Sequence, residues 1–234
     1  MKLPRMILFD YGQTLVDEVS IDRLAGDEAV LRHAVENPQG VTAQQLCDAF
    51  AALYEEIGFL QSAMETPGLS MCRCVYGQFG LKFDVPMEEL ERVFFTCVQA
   101  RPTPGAPELL AALAARGIRL GVVSNISYGE GMLRYILAKH VPGHLLEFVL
   151  TSADVVFRKP HRRIFELALR RAGLAPEEVW FCGDHPVSDI QGAAACGMRA
   201  FWYLGANRRV WETPPLCEHE TLQDWQQLRD LLCI

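Results

Sequence analysis

Met6-Ile7-Leu8-Phe9-Asp10-Tyr11-Gly12-Gln13-Thr14-Leu15-Val16 is the stretch whose reading decides the fold. Four apolar residues run into one carboxylate, a Gly-containing turn follows, and a second apolar step closes the stretch. The pattern is that of a buried strand delivering Asp10 at its carboxyl end. Open parallel sheets bind their ligands outside the carboxyl ends of their strands. A strand-end Asp also caps turns, so the functional reading depends on later strands delivering matching chemistry.

The chain has 234 residues, half of them hydrophobic, enough for a sizeable core. Its net charge of −7 argues against a protein that neutralises nucleic-acid phosphates with a basic face. The charge is uneven: residues 17–101 carry 14 Asp/Glu and 6 Lys/Arg, and the remainder is close to neutral. Cysteines stand at 47, 72, 74, 97, 182, 196, 217 and 233, with no C-x-x-C pair and no zinc-site spacing. Reduced thiols and a cytoplasmic location are the expectation. Met1–Arg5 leads straight into the first strand, and no apolar run approaches the ~20 residues that cross a bilayer. Neither membrane nor nucleic acid is expected as a partner, and oligomeric state is left unassigned.

From residue 17 to 101 the periodicity is helical. Asp27–Val35 carries Ala29, Val30, Leu31 and Ala34. Thr42-x-x-Gln45 is a capping-box signature before Leu46, Phe50, Leu53 and Ile57. Pro86 opens a segment with Leu90, Val93, Phe94 and Cys97 at helical spacing. Pro67-Gly68 and Gly77–Gly80 read as breaks. The expectation is an all-helical insertion whose Met and aromatic positions pack a core, with Arg101–Gly105 as a rigid linker out. Strand and helix patterns then alternate. Strands are expected at 118–123, 148–151, 179–182 and 199–204. Helices are expected from Pro107, over 129–139, from Lys159-Pro160, over 187–196, and at the C-terminus around Leu222, Trp225, Leu228 and Leu231. Such alternation implies an α/β fold with a Rossmann-like parallel sheet covered on both faces.

Four positions sit where strands end or helices begin: Asp10, Ser124-Asn125, Lys159, and the pair Asp184 and Asp189 in Gly183-Asp184-His185-Pro186-Val187-Ser188-Asp189. Each alone has an ordinary structural explanation as a cap, a surface charge or a helix-dipole partner. Their shared order on one α/β pattern is far more specific.

On these residues the chain resembles the haloacid dehalogenase superfamily, with a helical cap inserted after the first strand. The resemblance implies a core of residues 1–16 and 102–234 and a cap of residues 17–101. Asp10 matches the family nucleophile, Ser124 the second motif, Lys159 the third, and Asp184 with Asp189 the fourth. It implies Mg²⁺ held by Asp10, Asp184 and the backbone carbonyl of Gly12, with Asp189 in support. Lys159 would offset negative charge, and Ser124 Oγ with the backbone N–H of Asn125 would bind phosphoryl oxygens. The physical logic is consistent: a carboxylate attacking phosphorus splits one displacement into two, and two approaching anions need positive charge. The expected substrate is a small phosphorylated metabolite.

One departure stands out. Phosphatases of this family carry a second Asp two residues after the nucleophile as general acid and base, and this chain has Gly12 there. General acid–base catalysis is worth ~10²–10⁴-fold, so something must substitute or turnover is slow. Asp17, Glu18 and His185 are the candidates. Gln13 also replaces a usual Gly. Three other readings stay open. Carbon–halogen hydrolysis needs no proton donor, but family dehalogenases place a Tyr where this chain has Gly12, and Tyr11 comes one position earlier. Carbon–phosphorus hydrolysis needs a cap Lys, and Lys82 is the only one. A protein that keeps the phosphate pocket without turnover is the third.

Overall fold

The protein is described by a computed structural model covering residues 3–58, 62–206 and 211–234. Its centre is β1 (Met6–Phe9), four residues with no solvent exposure. Their alternation serves two faces. Ile7 and Phe9 pack into one hydrophobic cluster, Met6 and Leu8 into another. A strand buried on both sides needs apolar residues at every position, which is why this stretch shows a continuous run.

The first excursion from β1 contains β2 (Val16–Ile21), α1 (Arg23–Leu31), β3 (Ala34–Glu36), α2 (Ala43–Glu56), α3 (Gly68–Gln78), β4 (Lys82–Phe83), α4 (Met87–Phe95) and β5 (Val98–Pro102). The remaining chain adds α5 (Ala106–Ala115), β6 (Arg119–Ser124), α6 (Glu130–His140), β7 (Leu146–Thr151), the single turn α7 (Ser152–Val155), α8 (Arg162–Ala172), β8 (Val179–Gly183), α9 (Gly192–Ala195), β9 (Arg199–Tyr203), β10 (Glu220–Leu222) and α10 (Trp225–Leu232). Six strands form one parallel sheet in the order β10-β9-β8-β1-β6-β7. Helices α5, α6 and α10 cover the face of Ile7 and Phe9; α8 and α9 cover the other. In register, Phe9 stands beside Val122 of β6 and Cys182 of β8. Asp10, Ser124 and Gly183-Asp184 therefore emerge together from one end of the sheet.

Among the described residues the insertion has four helices around its own cluster of Val30, Leu46, Val75, Tyr76 and Leu90. The expected capping box is present, with Thr42 Oγ1 accepting from the Gln45 N–H. Helix alone does not describe the segment, however. β2 and β5 pair antiparallel, Val16 opposite Pro102 and Asp17 opposite Arg101, and β3 pairs with β4. The stretch read as a rigid linker thus begins as a paired strand, so the chain enters and leaves the insertion through one two-stranded neck. Helix α1 also starts earlier than its apolar pattern suggested, because Asp22 caps it by accepting the Ala25 N–H. Residues 186–191 form a wide π-type turn rather than regular helix, leaving only a short α9. The expected helix from Lys159-Pro160 begins two residues later, at Arg162.

The neck is anchored below by a buried hydroxyl. Thr103 Oγ1 donates to the Thr14 carbonyl at 2.6 Å and accepts from Trp225 Nε1 at 3.0 Å. Thr103→Val keeps the shape and orphans both partners. The expected cost is about 1–3 kcal/mol of stability, read from urea unfolding; an unchanged midpoint would contradict this role.

Candidate active site

Lys159 brings the site together. Its side chain is almost wholly buried, and an ammonium carries three donors that need partners. Nζ lies 2.6 Å from Asp10 Oδ1 and 2.6 Å from Asp189 Oδ1, and donates to the Val123 carbonyl at 2.8 Å. Burial works against the charge of Lys159, but Asp10 and Asp189 outweigh it and hold the group above its usual range. Burial pushes the Asp10 carboxyl up to about 6, with Asp189 adding to the shift and Lys159 opposing it.

Local geometry holds each member. The Asp10 N–H donates to the Cys182 carbonyl at 2.9 Å, tying the ends of β1 and β8. Asn125 clamps the backbone of Lys159: Oδ1 accepts its N–H at 2.6 Å and Nδ2 donates to its carbonyl at 2.8 Å. The Asn125 side chain is thereby a positioning device for the lysine, a role its sequence context did not reveal. Asp189 Oδ2 accepts the His185 N–H at 3.0 Å. A Cβ at position 183 would overlap that same oxygen, so Gly183 makes room for the carboxylate. Asp184 follows, its carbonyl accepting from Trp202 Nε1 at 2.7 Å.

Asp10, Asp184 and Asp189 place one carboxylate oxygen each within 4.8 Å of one another. Three hard oxygen donors gathered beside one Lys suit a small divalent cation such as Mg²⁺. These residues, with Gly12, Ser124, Asn125 and Lys159, line a single cavity of about 770 Å³. All seven positions read from the sequence are thus brought together.

The turn after Asp10 departs from the family pattern in an informative way. Gln13 keeps a left-handed backbone, φ 57°, which a Gly would adopt without strain. Its Nε2 donates to Asp17 Oδ1 at 3.0 Å, and Arg101 Nε donates to Asp17 Oδ2 at 3.1 Å. Asp17 is therefore bound into the neck. His185 Nδ1 accepts the N–H groups of Val187 and Ser188. Glu18 is different. It lines the cavity with Asp10, accepts from the buried Tyr11 hydroxyl at 2.8 Å, and burial raises its carboxyl above the usual range. The register of the neck shifts between Glu18 and Ser20, a device that re-aims side chains beside sites. At Gly12 itself a Cβ would meet nothing within 4 Å.

A further contact joins insertion and sheet. Glu65 Oε2 accepts from Ser152 Oγ at 2.6 Å and from Arg158 Nη1 at 2.8 Å. Its partners lie 87 and 93 residues away, and no local pattern signals them.

A family model described as haloacid dehalogenase-like hydrolase matches residues 4–197. The chain is 32% identical over 200 residues to the glyceraldehyde 3-phosphate phosphatase of Methanothermobacter thermautotrophicus, covering 84% of each. It is 30% identical over 224 residues to the phosphoserine phosphatase of Thermus thermophilus, covering 85% of this chain and 88% of the relative. Among solved structures, the 2-haloacid dehalogenase of Pseudomonas syringae pv. Tomato superposes with a TM-score of 0.67 at 24% identity over 99% of both chains, a likeness of fold.

The raised Asp10 carboxyl has a measurable consequence. Its folded value lies above the ordinary 3.8, so its contribution to stability is full below that value and is lost as pH rises through about 6. The metal-free protein is predicted to weaken across that window, and Asp10→Asn to flatten the loss. Urea midpoints measured in chelator across the window test this; equal pH slopes for both proteins would contradict it.

Proposed function

This chain belongs to the haloacid dehalogenase-like hydrolases, and we propose that it hydrolyses the phosphate monoester of a small metabolite, with Mg²⁺ as cofactor and Asp10 as nucleophile. The observation that carries the reading is the Lys159 ammonium held between Asp10 and Asp189 beside a third carboxylate. The phosphatase names of the two relatives support the substrate class.

In this reading residues 1–16 and 102–234 form the catalytic core, and residues 17–101 the cap that closes over the substrate. Asp10, Asp184 and the Gly12 carbonyl would hold Mg²⁺, with Asp189 in support, and the cation would supply positive charge where the Asp10 carboxylate meets the phosphoryl group. An Asp10 oxygen attacks phosphorus, the bond to the leaving oxygen breaks, and an aspartyl-phosphate forms. Water then attacks phosphorus, releasing phosphate and restoring Asp10. Lys159 offsets the gathered negative charge, while Ser124 Oγ and the Asn125 N–H orient the phosphoryl oxygens. Glu18 gives a proton to the leaving alkoxide and takes one from the attacking water, the work of the second Asp that Gly12 replaces. No helix among the described residues is long and apolar enough to cross a membrane. A cytoplasmic location, with neither membrane nor nucleic acid as partner, belongs to the same proposal.

Phosphate release from a panel of small esters tests it. The expected result is Mg²⁺-dependent turnover abolished by Asp10→Asn. Glu18→Gln should lower kcat by ~10²-fold or more, and Gly12→Asp in that background should recover part of the loss. Full turnover in Glu18→Gln would exclude Glu18 as the proton donor. No ester hydrolysed above the Asp10→Asn background would overturn the phosphatase reading.

A further inference from the structure

A second cavity, of about 200 Å³, lies among the helices of the insertion and against Ser127 and Tyr128 of the loop after β6, and shares no lining residue with the one over Asp10. Phe50, Tyr54, Tyr76, Phe94 and Tyr128 supply aromatic walls. Two carboxyl groups, Asp27 and Glu91, line it as well. Asp27 is only 2% exposed. Its Oδ2 accepts the Cys47 thiol at 3.1 Å, and its Oδ1 is buried without a hydrogen-bond partner. Arg23 lines the cavity as well, with its guanidinium 5.5 Å from the Tyr54 ring centroid, and its charge opposes the rise of the Asp27 carboxyl; among the described residues no ion pair joins it to either acid, so the lining keeps an excess of acid. Burial raises the Asp27 carboxyl, and burial with the charge of Glu88 raises Glu91 to about 7.

Packing alone gives no reason for two acids at an aromatic cavity, since an unpartnered buried carboxyl oxygen is costly. A positive ligand removes that cost, and aromatic faces attract the same charge. Cavities of roughly 150 Å³ admit a benzene-sized molecule, so the space suits a small amine. We propose that this cavity binds an organic ammonium group, with Asp27 and Glu91 as its anionic partners and the aromatic rings as its walls. The ammonium has two sources: the leaving group of the phosphate ester or a free amine. Tyr128 stands on the loop after β6 that also carries Asn125, so the cavity adjoins the candidate active site along the chain. The leaving-group source rests on the phosphatase reading; binding itself does not.

Calorimetry with phenethylamine and its neutral counterpart phenethyl alcohol tests the site on the full chain. The amine should bind at least about tenfold tighter than the alcohol. Asp27→Asn, which removes the charge and keeps the shape, should collapse that ratio; Glu91→Gln serves if the first variant does not fold. Equal binding of amine and alcohol, or no binding of either, would overturn the proposal. Hydrolysis of amino-alcohol phosphates against alkyl phosphates of equal length then separates the sources. A preference for the ammonium esters that Asp27→Asn removes assigns the site to the leaving group. Amine binding without that preference assigns it to a free amine. Amine binding by a protein that hydrolyses no ester supports this site and defeats the phosphatase reading alone.

Discussion

A single buried ammonium governs the arrangement at the end of the sheet. Lys159 Nζ contacts carboxylates that follow β1 and β8 and the carbonyl of Val123 within β6. Three neighbouring strands are thereby tied at one atom. Burying such a group is costly unless it is paired, and here it donates to Asp10 and to the Val123 carbonyl and lies in ion-pair contact with Asp189. The same cluster is left incomplete in charge. Asp10, Asp184 and Asp189 against one Lys leave two negative charges, the charge of one divalent cation. Burial raises the Asp10 carboxyl, Lys159 opposes the rise and Asp189 adds to it.

The neck of the insertion links this cluster to the choice of proton donor. Asp17 and Glu18 are adjacent, and pairing separates their fates. Asp17 faces Arg101 and Gln13 and fastens the two strands. Glu18 lines the cavity, with the Tyr11 hydroxyl on one oxygen. In the proposed mechanism a carboxyl arriving from the neck takes the place of the residue that the family carries two positions after the nucleophile. A Cβ at position 12 would meet nothing within 4 Å, so no close neighbour forces a Gly there.

The parts of this arrangement legible in the sequence were those written in local patterns. Met6–Phe9 is apolar throughout because both faces are buried, and the apolar runs of β6 and β8 give way to Ser124 and to Gly183-Asp184 at the same end of the sheet. The parts that escaped depend on distant pairing. Nothing near Val16 announces Pro102 as its partner, and β10 has three residues without an apolar run. Asn125 reads as a phosphate-loop residue, yet its side chain is committed to the Lys159 backbone. Asp27 reads as the start of a helix; the true cap is Asp22, and Asp27 is buried within the insertion.

The central claim is that Asp10 becomes covalently phosphorylated. The most direct measurement is acid quenching during turnover of a phosphate ester with Mg²⁺, borohydride reduction, and peptide mass spectrometry. An aspartyl-phosphate is reduced to homoserine, so the account predicts homoserine at position 10 and at no other acidic position. Phosphate release with Asp10 unreduced, or reduction at a different carboxylate, would contradict it.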